Sequence, residues 1–127
     1  MEAREREPSR SPGFAFGELL LRFAASQPEV AAIEAAGLNS AALACLAERD
    51  YEASLLLLQR AEESAGSRSS RVVTRNNCAC VYRRLGEHKQ AIRHLKEALE
   101  IGSTCANLEP LAAVHLNLSA ILSEIGR

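Results

Sequence analysis

The residues of this 127-residue chain that could carry chemistry are four cysteines, three histidines and a small set of side-chain amides. A zinc site needs ligands paired at short spacing, as in Cys-x-x-Cys with clustered His. Here the only close pair is Cys78-Ala79-Cys80, and neither Cys45, Cys105 nor any His completes a set. Nucleophilic catalysis needs a nucleophile, a base and an orienting group within hydrogen-bond reach. His88, His94 and His115 share no predicted helix face with a Cys or Asp. No catalytic, cofactor-binding or metal-ligating residue is therefore predicted, and the chain reads as a non-enzyme. The side-chain amides, among them Asn39, Asn76, Asn77 and Asn117, can both donate and accept hydrogen bonds.

The elements that position these groups are helices. The chain holds 22 Ala and 18 Leu but only three Phe, two Tyr and no Trp, too few β-branched and aromatic residues for an all-β domain. The predicted class is all-α. Fifteen basic against sixteen acidic residues give a net charge of -1, without the excess that nucleic-acid binding uses. The longest uninterrupted apolar run, 41–47, is far shorter than the roughly 20 residues of a membrane span. Neither a nucleic acid nor a membrane is expected as a partner. No apolar leader follows the Glu- and Arg-rich start, so the thiols are expected to be reduced and the location cytoplasmic.

Gly and Pro divide the chain into six predicted helices, at 14–25, 28–48, 51–64, 72–85, 88–101 and 111–125, behind a disordered tail at 1–13. Ser26 and Glu29 have capping-box spacing ahead of the second helix, and Gly37 predicts a bend or break within it. Short and long connections alternate, which marks a repeated helix-turn-helix unit. Ala61 and Ala98 are equivalent, since each follows a large apolar residue by three and a small one by seven. The turns Arg49-Asp50 and Gly86-Glu87 then superpose.

The stretch 72–102 resembles a tetratricopeptide repeat, a unit of two antiparallel helices. The resemblance rests on Ala79, Tyr82, Gly86, Ala91, Leu95 and Ala98 in fixed register. Arg75 and Cys78 depart from it, standing where the family has Trp and Leu. An earlier unit matches at Ala42, Tyr51, Ser54, Leu58 and Ala61, and a later one at Leu118, Ser119 and Gly126. The resemblance implies an N-terminal packing helix at 14–27 and repeats at 28–68 and 72–105. At 110–127 stands either the first helix of an incomplete third repeat or a capping helix.

The implied fold is a right-handed superhelix, an α-α solenoid, whose first helices line a concave groove. In the family frame the groove-lining candidates are Asn39, Asn76, Asn77, Cys80, Arg83, Arg84 and Asn117, with Arg75 extending a small basic patch. The resemblance implies a non-catalytic scaffold or adaptor that binds a peptide or protein segment there. The alternative is a structural piece of a larger helical array with no separate ligand. A carboxylate clamp for chaperone C-termini is not expected, because only Asn77 matches its pattern. The apolar stripe of the last helix predicts self-association through an open edge, or a further helix in a longer chain.

Overall fold

The computed structural model describes residues 12–64, 67–104 and 109–127. They form six helices: α1 (Pro12–Ala25), α2 (Pro28–Ala47), α3 (Tyr51–Glu63), α4 (Arg68–Arg84), α5 (His88–Gly102) and α6 (Glu109–Ile125). The expected tail lies outside the described residues over 1–11. Its last two residues, Pro12 and Gly13, belong to α1 instead.

The pairs α2–α3 and α4–α5 pack most closely, and the first helices α2, α4 and α6 also touch in succession. The small residues of the repeat are what allow this approach. Ala42, Ser54, Ala79, Ala91 and Ala98 are all fully buried, with Leu58 and Leu95 beside them. Around Leu95 the core continues into α6 through Val114 and Ile121. Ser54, the one polar member of the set, donates its hydroxyl to the carbonyl of Ala42 at 2.8 Å, so its burial leaves no hydroxyl unsatisfied.

The two turns inside the repeats share one backbone design. Asp50 N–H reaches back to the carbonyl of Cys45 at 2.9 Å and Arg49 N–H to that of Leu46 at 3.0 Å. Glu87 and Gly86 do the same to Tyr82 and Arg83, at 2.8 and 3.0 Å. These paired bonds terminate a helix through one left-handed residue. Gly86 fills that position with φ 76°, and Arg49 fills the equivalent one with φ 62°.

Four local expectations are corrected. α2 runs unbroken through Gly37, because a single glycine weakens a helix by about 1 kcal/mol without ending it. Ser26 does not cap α2. It donates to the Phe23 carbonyl at the end of α1, and α2 starts at Pro28, whose missing N–H is harmless in a first turn. α4 begins a turn earlier than expected, because the Ser67 side chain accepts from the Ser70 N–H and caps it. Finally, α2, 20 residues long, is apolar enough to cross a bilayer by length and composition alone, with mean hydropathy 1.6 over an 18-residue window. The uninterrupted-run criterion missed this, because Glu34, Asn39 and Ser40 interrupt an otherwise apolar helix. The buried stripe Ala31, Ala35, Asn39, Ala42 and Leu46 is the face that α2 turns inward.

Candidate functional site

The first helices bring the predicted amides together, but not as a row facing solvent. Asn39 on α2 and Asn77 on α4 are 5% and 7% exposed. The Asn77 amide donates to Asn39 Oδ1 at 2.9 Å. Asn39 in turn donates to Thr74 Oγ1 at 3.0 Å and to the Ala35 carbonyl at 2.9 Å. The expectation that both are exposed groove residues is therefore corrected: they form a buried rung between neighbouring repeats.

A second rung follows the same rule. Asn117 on α6 donates to Asn76 Oδ1 at 2.9 Å and lies 3.1 Å from Cys80 Sγ, with all three side chains half-buried. In both rungs an Asn of one first helix meets the Asn one repeat position further on in the next. The separations are 38 and 41 residues.

Arg83 extends the contact between α4 and α6. Its Nε donates to Glu124 Oε1 at 2.8 Å, and His88 Nε2 approaches the other carboxylate oxygen at 3.4 Å. The hydrogen bond from Arg83 holds the Glu124 carboxyl below its ordinary value, against the opposing effect of desolvation and with help from His88. Arg83 is thus an interhelical strut, while Arg84 beside it is exposed.

Arg75 does not join them, so the three arginines do not form one basic patch. Its side chain leaves the other side of α4, pairs with Glu62 of α3 at 3.2 Å and also bonds Glu97 of α5. The reason lies in neighbours that sequence reading did not connect, since each carboxylate belongs to a different helix. Next to this bridge, the buried ring of His94 stacks on Tyr82, with centroids 5.3 Å apart and planes 12° from parallel. Burial lowers the His94 pKa, and Arg93 and Arg75 lower it further. Sequence reasoning missed this cluster. The signal available was Arg75 itself, a charge at a position where the repeat buries a large ring.

What remains open on the concave side is a hollow of about 310 Å³ lined by Leu43, Leu46, Ala47, Cys80, Arg83 and Arg84. Leu43 is 44% exposed and Ala47 is also exposed, so the floor is apolar and one free-standing cation stands at its edge. Cys45, Cys78 and Cys80 are free thiols, all half-buried, while Cys105 lies outside the described residues. Among the described residues, no three of His, Cys, Asp or Glu are grouped to hold a metal ion.

The sequence pattern of the tetratricopeptide repeat matches residues 33–104, which is 72 of the 127 residues. Neither among curated proteins nor among solved structures does the chain have a match.

Proposed function

This chain belongs to the tetratricopeptide repeat family, and we propose that it is a non-catalytic interaction module that takes a segment of a partner protein on its concave face. The family supports an interaction or scaffold role in general. The hollow over Leu43, Ala47, Cys80 and Arg84 is the observation that supports this location. Helix packing leaves Leu43, Ala47 and Arg84 open, whereas it engages Cys80 and the amides of Asn39 and Asn77. An apolar floor beside a single cation suits a segment with a hydrophobic side chain next to an acidic one.

The test is affinity capture with wild type against Leu43→Asp and Arg84→Glu, each checked for an unchanged thermal midpoint. Partners lost from both variants support the reading, and an unchanged partner set refutes it. Asn77→Ala is the wrong probe, because it removes a buried inter-repeat bond and so confounds binding with folding.

The exposed Leu116, Leu122 and Ile125 of α6 favour a second reading, in which this chain stacks into a larger helical array. Light scattering during gel filtration separates the two. A clean monomer at high concentration counts against stacking between copies.

A further inference from the structure

The two ends of the helical stack carry uncovered faces of complementary kind. Gly17, Leu21 and Ala24 of α1 stand at the same intervals as Ser54, Leu58 and Ala61 of α3, and as Ala91, Leu95 and Ala98 of α5. The step along the chain from Leu21 to Leu58 also equals the step from Leu58 to Leu95. By sequence, then, α1 is a second helix of the repeat, like α3 and α5. Each of those packs closely on the first helix before it, whereas α1 touches α2 alone among the described residues. The difference shows in exposure. Leu58 and Leu95 are 1% and 0% exposed, but Leu21 is 73% exposed. A side chain added at Gly17 would meet nothing within 4 Å.

The converse holds for α6. Aligned through the turns at Gly86 and Gly126, its Ala112 and Ser119 correspond to Val72 and Ala79 of α4, and to Ala35 and Ala42 of α2. Those four are buried within the helix pairs, but Ala112 and Ser119 are exposed, and Leu122 on the same side is 55% exposed. A first helix thus leaves open the side on which α2 and α4 receive their second helices. The two faces of one chain cannot meet, because only Ser26 and Gln27 join α1 to α2, and α2 to α5 stand between α1 and α6.

We propose that this chain associates head to tail, with α1 of one copy packing on α6 of the next as its second helix. The inference deepens the stacking reading above and rests on it. The row of first helices then continues from α6 into α2 of the adjoining copy. There Leu116, exposed at 73%, takes the position from which Asn39 and Asn76 meet the following first helix. Such a contact is heterologous, so every added copy offers both faces again and the assembly lengthens with concentration. A single helix pair lies below the roughly 1,200 Å² of standard interfaces, which sets the expected affinity on the order of 10 μM.

Sedimentation velocity of the full chain in reducing buffer, at concentrations on either side of that affinity, tests the proposal. Wild type should pass from monomer to dimer and then to longer species. Leu21→Asp spoils the α1 face and Leu122→Asp the α6 face. Both side chains are exposed, so each variant should keep the fold, which circular dichroism checks. Each alone should stay monomeric. Their equimolar mixture should form a dimer and nothing longer, since it holds one intact face of each kind. If Leu21→Asp associates as wild type does, copies meet without α1, which overturns this inference and leaves stacking standing. Two variants that remain apart on mixing overturn it as well. A wild type that is monomeric throughout overturns both the inference and the stacking reading.

Discussion

Asn39→Ala is the substitution that most directly probes how the repeats are joined. The side chain makes three hydrogen bonds, and two of them, to Thr74 and from Asn77, cross from α2 to α4. Each cross-helix bond contributes about 1 kcal/mol net. The Asn77 amide, 7% exposed, would be left buried with its acceptor gone, which adds roughly 1–2 kcal/mol. The bond to the Ala35 carbonyl is local, and losing it exposes no new unsatisfied donor. The expected destabilisation is therefore about 3 kcal/mol, or on the order of 10 °C in the thermal midpoint for a domain of this size.

Urea unfolding followed by circular dichroism measures it, with Asn77→Ala and the double variant completing a cycle. Residues in one hydrogen-bonded network couple by roughly 0.5–3 kcal/mol, so the double variant should lose much less than the sum of the singles. Replacing both amides by Leu should recover most of the stability, since apolar groups leave nothing unsatisfied. Single losses below about 0.5 kcal/mol that simply add would refute the claim that this rung joins the repeats.

The other expectations concern the turns, the buried ring and the last junction. Arg49→Gly should stabilise the chain by up to about 1 kcal/mol by relieving a left-handed side chain, and Gly86→Ala should cost about as much; equal and opposite shifts in urea midpoint check both. His94 keeps a lowered pKa when folded, so between that value and the ordinary 6.5 the unfolded chain binds more protons. The stability gained by keeping the ring neutral is thus full above about 6.5 and declines as pH falls through this window. Urea midpoints across about pH 5–8 should show that slope, and an unchanged slope in His94→Phe would assign it elsewhere. Gly102→Ala places a methyl against the Leu111 side chain at the α5–α6 junction, and calorimetry should show a loss of about 1 kcal/mol.

Much of the architecture was legible because its signals are local. Gly86 and Arg49 sit at equivalent turns even though only one is glycine. The spacing of Ala61 and Ala98, both buried in the structure, carries this equivalence. The number and order of the helices followed from the same punctuation. The first turn of α4 was missed, because Ser67 to Arg71 has loop composition until Ser67 is seen as its cap.

The amides were found but their task was misjudged, for a geometric reason. Equal repeat positions put Asn77 in register with Asn117. Packed first helices are staggered, and each residue meets the one a position further on, which pairs Asn39 with Asn77 and Asn76 with Asn117. The stagger also explains why Arg83 meets Glu124, at the same separation of 41 residues as Asn76 and Asn117. Polar identity at a repeat position therefore does not separate a ligand contact from a joint between repeats. The distinction depends on what the next helix offers one step along. By that rule Arg84 and Leu43, which no neighbour engages on the concave side, are better candidates for partner recognition than the amides that first drew notice.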